Sequence, residues 1–187
     1  MTESNVRSIH TDNLSQIIPT LRAGERVALS GVVLGLSDEA YGKLCLLWQE
    51  EEPIPFSLEN QVLYYTNPAP TPAGRVVGSC GPATASHFDA LAPQLMSLGA
   101  RCSIGKGERS SQVYQALEQY QGVYLATVGG ASAYLSSFIT KVEEFAFPEL
   151  GSACIKAITL KDFPLIVAAD CTGRNLFDNG QFQYRRM

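Results

Sequence analysis

The chain has 187 residues, of which 45% are hydrophobic and 17% are charged, a composition typical of a globular protein with a sizeable core. Its net charge of −4 and pI near 5.2 argue against binding to nucleic acid, and no apolar run approaches the roughly 20 residues of a membrane-spanning helix. Because the opening residues MTESNVRSIH lack the apolar core of a signal peptide, we expect a cytoplasmic protein. We expect residues 1–187 to form a single domain.

Strand and helix signals follow one another along the chain. In the first half, the predicted elements are a weak strand before residue 20, a strand over 27–36 that bends at Gly31, a helix over 39–48, strands over 62–65 and 75–78, and a helix through 88–96. In the second half, they are a short strand before Lys106, a helix over 111–120 capped by Ser110, a strand over 123–128, a helix over 131–140, a strand over 142–147, a short helix over 149–157 and a strand over 163–169. The fold class is α/β, and we expect a three-layer β/β/α arrangement with a mixed sheet.

The helix over 39–48 has a clear start signal. Ser37 is a good N-cap residue, and two carboxylates follow it at the positive end of the helix. The apolar face is expected to bury Tyr41, Leu44, Cys45 and Trp48. Tyr41 is therefore predicted to pack in the core, with a hydrogen-bonding role in a site as the alternative.

The stretch over residues 78–106 predicts a small-anion site. A glycine-rich turn over residues 78–83, the glycine turn, precedes a helix for which Thr84 and Ser86 are candidate N-caps. A second glycine-rich turn over 105–107, the Lys106 turn, carries Lys106. Free amides at the start of a helix favour anions, and the lysine adds a formal positive charge. The alternatives are a turn that serves only backbone geometry and a lysine that faces solvent. The spacing fits neither a P-loop nor a dinucleotide-binding glycine motif.

The cysteine pattern argues against a metal or cluster site built by this chain. The five cysteines include no CxxC pair, and the two histidines lie far apart in sequence. Free thiols are therefore expected, with Cys45 and Cys154 in the core. Cys80, inside the glycine turn, is the thiol closest to the predicted site.

Several sequence blocks together resemble one enzyme family. The blocks, in order, are LRAGERVALSGVV, SCGPATASHFD, IGKGERS, VYLATVGGASA and KDFPLIVAADCTGRNLF. They resemble the β subunit of class I fumarase and L(+)-tartrate dehydratase, and the C-terminal domain of the fused class I fumarases. The resemblance implies a swivelling β/β/α domain, a homodimer, and a partner α subunit that carries a [4Fe–4S] cluster. It also implies reversible dehydration of a small hydroxy carboxylic acid.

The resemblance can be carried onto the glycine turn residue by residue. The family pattern there is GPTT-x-x-R followed by a GKG lysine. Gly81, Thr84 and Lys106 match it and are assigned to substrate binding. Ala83 stands where the family has a threonine with a base-like role, and His87 replaces the arginine. A charge-assisted contact to carboxylate is lost with that arginine, and we assign His87 as a candidate catalytic acid or base.

The upstream family pattern RD-x-x-H is altered as well. Ser37 replaces its arginine and is assigned to substrate binding, whereas Asp38 is retained. Tyr41 replaces its histidine and is the second candidate catalytic residue. These replacements argue against ordinary fumarase or tartrate dehydratase activity.

Three functional hypotheses follow. The first is the β subunit of a hydro-lyase with an atypical substrate site, expected to bind no cofactor itself and to partner a cluster-bearing α subunit. The second is a non-catalytic domain of the same fold that binds a small carboxylate. The third is a structural partner that stabilises a cluster-bearing subunit. The polar C-terminal tail over 173–187, which is basic at Arg185 and Arg186, is predicted to be a docking extension.

Overall fold

The computed structural model describes residues 6–178 and 180, and its framework is one continuous seven-stranded sheet. The strands are β1 (Val6–His10), β2 (Arg26–Leu36), β3 (Val62–Tyr65), β4 (Cys102–Gly105), β5 (Val123–Ala126), β6 (Ile139–Ala146) and β7 (Ile155–Ala169). The α/β class and the mixed sheet are confirmed, because parallel and antiparallel pairs both occur. Of the predicted tail over 173–187, the structure describes 173–178 and 180, where Asn175 forms a bridge with Ala169, and Arg185 and Arg186 lie outside the described residues.

Five of the strands close into a ring. β2, β3, β4 and β5 pair in parallel in that order, β5 pairs antiparallel with β7, and β7 pairs antiparallel with β2. β1 extends the ring beside the first half of β2, and β6 extends it beside the first half of β7. β2 and β7 are long enough for two strands to pair end to end along one edge of each. These are β1 and β3 along β2, and β6 and β5 along β7.

The helices provide the crossovers between the parallel strands. They are α1 (Leu14–Ile17), α2 (Asp38–Gln49), α3 (Ala92–Ser97), α4 (Ser111–Gln119) and α5 (Ser132–Leu135), with 3-10 turns between them. One apolar core fills the ring, and it includes Tyr64, Ile104 and Phe163. A second core, which includes Leu44 and Phe88, lies between the sheet and α2, α3 and α4. The alternating strand side chains thus serve two cores, as expected for a sheet covered on both faces.

Gly31 forms the predicted bend in β2. Its φ is +112°, and the register of β2 against β7 shifts between Leu29 and Gly31. A Cβ at this position would lie 2.1 Å from Thr11 Oγ1, so glycine is required both for the backbone conformation and for the close approach.

Two predictions before β4 are wrong. Residues 75–78 do not form a strand, because the chain there runs as an irregular loop in which the Ala69 amide donates to Ser79 O. The single helix through 88–96 is divided into a 3-10 turn, Ala85–Phe88, and α3. Pro93 lies in the first turn of α3, where its missing N–H costs no hydrogen bond.

The second half of the chain has more strand than predicted. The helix over 131–140 is reduced to α5 and a 3-10 turn, and β6 begins at Ile139. The helix over 149–157 is a 3-10 turn that ends at Ala153, after which β7 starts and continues to Ala169. Pairing with β2 on one edge and β6 on the other satisfies the backbone of this long strand, which outweighs the local helical pattern.

The helix predicted over 39–48 is confirmed as α2, but its outer end is not buried. Ser37 caps it by accepting a hydrogen bond from the Ala40 amide. Tyr41 and Leu44 are buried and Cys45 is half-buried, whereas Trp48 is 43% exposed, contrary to the prediction. No helix in the described part of the chain is long and apolar enough to span a membrane.

Candidate functional site

The candidate site lies where the parallel strands end. β3, β4 and β5 run in the same direction, so the loops that follow Tyr65, Gly105 and Ala126 meet at one edge of the sheet. In α/β folds, ligands bind outside the carboxyl ends of the parallel strands, both in open sheets and in closed barrels. The glycine turn and the Lys106 turn follow β3 and β4 in the chain, and both lie at this edge.

A short parallel bridge joins the two turns. Thr84 pairs with Lys106, the Lys106 amide donates to Ala83 O at 3.1 Å, and the Ala85 amide donates to Lys106 O at 2.9 Å. Directly opposed residues in a bridge place their side chains on the same face. The Thr84 hydroxyl and the Lys106 ammonium therefore belong to one surface, as the sequence predicted for two substrate-binding residues.

Lys106 is a half-buried cation without a carboxylate partner. Across residues 6–178 and 180, none of the ion pairs involves Lys106, and its side chain is half-buried. Its side chain packs along Gly129, where an added Cβ would lie 3.3 Å from Cδ and 3.8 Å from Nζ. An unpaired, partly desolvated ammonium favours an anion as its ligand.

Contacts with the Thr66 hydroxyl hold the glycine turn in place. Thr66 Oγ1 donates to Gly81 O at 2.7 Å, and the buried Cys80 sulfur lies 3.3 Å from the same hydroxyl oxygen. Gly81 packs so closely on Ser132 that a Cβ would lie 2.0 Å from Ser132 Oγ. Burial raises the pKa of the Cys80 thiol, so this cysteine is a packed thiol of the turn. Gly81 thus contributes close packing and an anchored carbonyl.

The prediction of free backbone amides at the glycine turn is wrong at four positions. The amides of Cys80, Ala83, Ala85 and His87 donate to the carbonyls of Ser132, Tyr65, Lys106 and Thr84 respectively. Neither Thr84 nor Ser110 caps a helix with its side chain. Since the helix after the turn is a single 3-10 turn, charge at this site comes from Lys106 and not from a helix end.

Ala83 takes part in the site through its backbone. Its amide and carbonyl bridge β3 and the Lys106 turn, which makes residue 83 a connecting link between the two strands. Its methyl group carries no donor or acceptor. The position where the family resemblance implies a base-like hydroxyl is therefore without one in this chain.

Ser37 and Tyr41 both have internal partners. Ser37 is 3% exposed, accepts from the Ala40 amide at 3.0 Å and donates to Ala153 O at 2.7 Å. The Tyr41 hydroxyl accepts from the Leu91 amide at 2.7 Å, and its ring packs edge-on against Phe88. Burial raises the pKa of Tyr41 well above its usual range, which keeps the hydroxyl protonated. The geometry favours structural roles for both residues.

His87 lies on the outside of the site. Its side chain is 65% exposed, and Nδ1 lies 3.9 Å from Asp38 Oδ1 at the start of α2. Because that carboxylate is itself exposed, the pair is free to exchange its contact for one with a ligand. The His87 side chain is accessible, but among the described residues no side-chain hydrogen bond or ion pair joins it to Lys106 or Thr84.

Sequence reasoning missed a buried ion pair beneath the site. Arg109 Nε donates to Asp89 Oδ1 at 2.5 Å, and Asp89 Oδ2 accepts from the Ser110 amide at 2.6 Å. The guanidinium carbon lies 5.2 Å from the ring centres of both Tyr65 and Tyr124. Both residues lie within blocks quoted for the family resemblance, Asp89 in SCGPATASHFD and Arg109 in IGKGERS, but nothing local in the sequence indicates that they pair.

The described residues do not form a metal site. Across 6–178 and 180, no group of three or more histidine, cysteine and carboxylate side chains could hold a metal ion. All five cysteines are free thiols, and four of them are buried. An iron–sulfur cluster therefore does not fit the residues that the structure describes in this chain.

Comparisons with known proteins give a consistent result. The sequence profile of the family described as Fumarase C-terminus matches residues 1–180. Fumarate hydratase 2 of Leishmania major is 34% identical over 168 residues, which cover 89% of this chain and 30% of that protein. The aerobic class I fumarate hydratase of Escherichia coli K12 is 35% identical over 83% of this chain and 29% of that protein.

A third relative is similar along nearly its whole length. The putative L(+)-tartrate dehydratase subunit beta of Methanocaldococcus jannaschii is 28% identical over 167 residues, which cover 86% of each chain. This chain thus spans under a third of the fumarate hydratases named above but most of the separate subunit.

Proposed function

This chain belongs to the Fumarase C-terminus family, and on that premise we propose that it forms the β subunit, or the equivalent domain, of a hydro-lyase. The proposed substrate is a small hydroxy mono- or dicarboxylic acid of the fumarate, malate or tartrate type. The observation that carries the proposal is the half-buried ammonium of Lys106, which has no carboxylate partner among the described residues and shares a face with Thr84.

The proposed reaction makes simple demands on this chain. Dehydration removes a hydroxide from one carbon and a proton from the next, which leaves a carbon–carbon double bond and releases water; hydration is the reverse. A carboxylate on the substrate must be held still while those bonds change. Lys106 supplies the charge for that contact and the Thr84 hydroxyl supplies a hydrogen bond. This chain therefore binds and orients the substrate.

A partner α subunit would supply the rest of the site. The curated name of the archaeal relative describes a subunit beta, which supports assembly with another chain. We place the [4Fe–4S] cluster implied by the family resemblance in that partner, since the described residues here do not fit one. A homodimer and a cytoplasmic location belong to the same proposal.

An exposed apolar patch marks where the partner would dock. Val6, Val128, Tyr134 and Ile166 surround a surface cavity of about 460 Å³, with exposures of 50%, 61%, 62% and 37%. Contiguous exposed apolar surface is typical of protein interfaces. Val128 adjoins Gly129, on which the Lys106 side chain packs. A subunit seated on this patch would therefore lie next to the segment against which the Lys106 side chain packs.

The atypical residues suggest an altered substrate preference. His87 is the exposed cation candidate at the rim of the site, and Ala83 removes a hydroxyl that the family resemblance implies. A neutral or weakly charged contact in place of an arginine weakens binding of a second carboxylate. We therefore expect a preference for acids with one carboxylate and a polar, uncharged second end.

The test is an anaerobic purification of tagged chain from its native cells, with assays for iron and for co-purifying protein. A stoichiometric, cysteine-bearing partner with about four irons, as expected for a [4Fe–4S] cluster, supports the hydro-lyase proposal, and hydration of unsaturated acids by the complex would identify the substrate. A chain that stays iron-free and without a partner under these conditions would overturn it.

The second candidate is a carboxylate-binding domain without catalysis. Ala83 carries no base, and the hydroxyls of Ser37 and Tyr41 already have protein partners, which favours this alternative. Such a domain would bind small acids through Lys106 in the absence of a second subunit. When no partner is recovered, calorimetric titration of the isolated chain with malate and with propionate tests this alternative: binding of either acid supports it, and no binding of either acid contradicts it.

A further inference from the structure

A second cation, Lys156, lies in a cavity of about 470 Å³ that is lined by the loop preceding the glycine turn. Lys156, near the start of β7, lines this cavity with the polar residues Asn67, Thr71 and Ser152. Val77 and Val142 supply apolar walls. We propose that the Lys156 cavity is a binding site for a small organic acid with one carboxylate and a short apolar body. This proposal does not depend on the proposed function.

The charge of Lys156 is held in place but not neutralised. Its ammonium donates to Ser152 O and Cys154 O, both of which are neutral carbonyls, so one of its three N–H donors is left for a ligand. In the part of the chain that the structure describes, the ion pairs do not include Lys156. A positioned but uncompensated ammonium favours a carboxylate over a neutral ligand.

One carboxylate of the protein stands near this lysine. Glu144 of β6 is opposite Lys156 in the strand register, yet it forms no ion pair with it among the described residues, and its side chain is exposed. Glu144 would compete with an acid for the ammonium. Removal of the Glu144 carboxylate is therefore expected to strengthen binding of an anion. If Lys156 had only a structural role, the same substitution would leave anion binding unchanged.

The walls of the cavity are fixed by the glycine turn. The Ala69 amide donates to Ser79 O at 3.0 Å, and Gly78 lies so close to the loop before it that a Cβ would be 2.3 Å from Ala69 O. This loop lines the cavity on one side. The cavity is therefore preformed, which reduces the entropy lost when a ligand binds.

The experiment compares butyrate with butyramide, an uncharged molecule of nearly the same shape, in titrations of the full chain followed by ¹H–¹⁵N NMR. Butyrate should shift the amide signals of Asn67, Ser152 and Lys156 in the millimolar range, with butyramide at least about tenfold weaker. Equal shifts from both molecules, no shifts, or shifts confined to the Lys106 turn would overturn the proposal.

Three variants test whether butyrate binding depends on the charge of Lys156. Lys156→Met should weaken butyrate binding at least about tenfold, whereas Lys161→Met, an exposed lysine of the same strand, should leave it unchanged. Glu144→Gln should strengthen binding. Unchanged affinity in Lys156→Met would refute a carboxylate site. If Lys156→Met does not fold, the comparison of butyrate with butyramide in the wild type decides whether the cavity binds a carboxylate.

Discussion

Asp89 and Arg109 form an ion pair beneath the candidate site, with side chains 13% and 0% exposed. Asp89 follows the 3-10 turn that carries His87, and Arg109 follows the turn that carries Lys106, so the pair ties the two loops together. Removal of one partner from a buried pair leaves the other charge without compensation. We therefore treat Arg109 as a positioning residue of the site.

Asp89→Ala should lower the free energy of unfolding by about 3–5 kcal/mol, because Arg109 would remain charged and buried. Chemical denaturation measures this change. The matched control is Glu149→Ala, which removes an exposed pair with Lys43 and should cost about 1 kcal/mol or less. Equal effects of the two substitutions would mean that the Asp89–Arg109 pair adds nothing beyond a surface contact.

Lys106→Ala should weaken binding of malate or another small acid at least about tenfold, or ~1.4 kcal/mol, and leave the melting temperature nearly unchanged. The reason is that its ammonium has no protein partner in the described residues, so the folded state loses little. Isothermal titration calorimetry gives the affinity, and Lys161→Ala serves as the exposed control. Equal affinity in mutant and wild type would remove Lys106 from the site.

Gly81→Ala should disrupt the glycine turn, because the added methyl carbon would lie 2.0 Å from Ser132 Oγ. We expect a lower melting temperature and weaker acid binding, both partly restored by Ser132→Gly in the same chain. Gly42→Ala is the control: that helix position is open, and alanine there should stabilise α2 by about 0.5–1 kcal/mol. A lack of rescue by Ser132→Gly would show that the two side chains are not in conflict.

Tyr41→Phe should cost about 1–3 kcal/mol of stability, because the Leu91 amide would lose its acceptor inside the protein. Thermal unfolding measures the loss. If Tyr41 instead took part in catalysis, the substitution would reduce turnover of the assembled enzyme with little change in melting temperature. The two readouts therefore separate the structural role from the predicted catalytic one.

Asp170 should make stability depend on pH in the acid range. Burial acts to raise its pKa, but hydrogen bonds from Thr172 and from the Ala23 amide outweigh this and hold the pKa below its usual 3.8. Because the folded-state pKa is the lower one, the stabilisation is complete above 3.8 and is lost as the pH falls through the folded value.

Asp170→Asn should therefore be less stable than wild type at neutral pH and should lose less stability on acidification to about pH 3. Denaturant unfolding at a series of pH values measures both effects. Asp12→Asn, at a carboxylate that is 86% exposed, controls for the loss of one negative charge. Parallel pH profiles for wild type and Asp170→Asn would contradict the prediction.

Much of the local structure could be predicted from the sequence. The β-branched segment of β2, the capped helix α2 and the bend at Gly31 all follow from short-range rules of strand pattern, helix capping and glycine conformation. The turns that carry Thr84 and Lys106 were predicted to share one site because the two glycine turns lie close together in the sequence, although the strand predicted directly before the first turn, over 75–78, does not form.

Only the tertiary structure determines which strands pair and which hydrogen-bond partners the polar side chains find in distant segments. β7 extends to 15 residues because β2 and β6 pair with its edges, although its first residues read as a helix. The hydroxyls of Ser37 and Tyr41 find backbone partners at Ala153 and Leu91. A sequence pattern shows which face of an element is apolar, but the partners of each polar group depend on which distant segments the fold brings within hydrogen-bond distance.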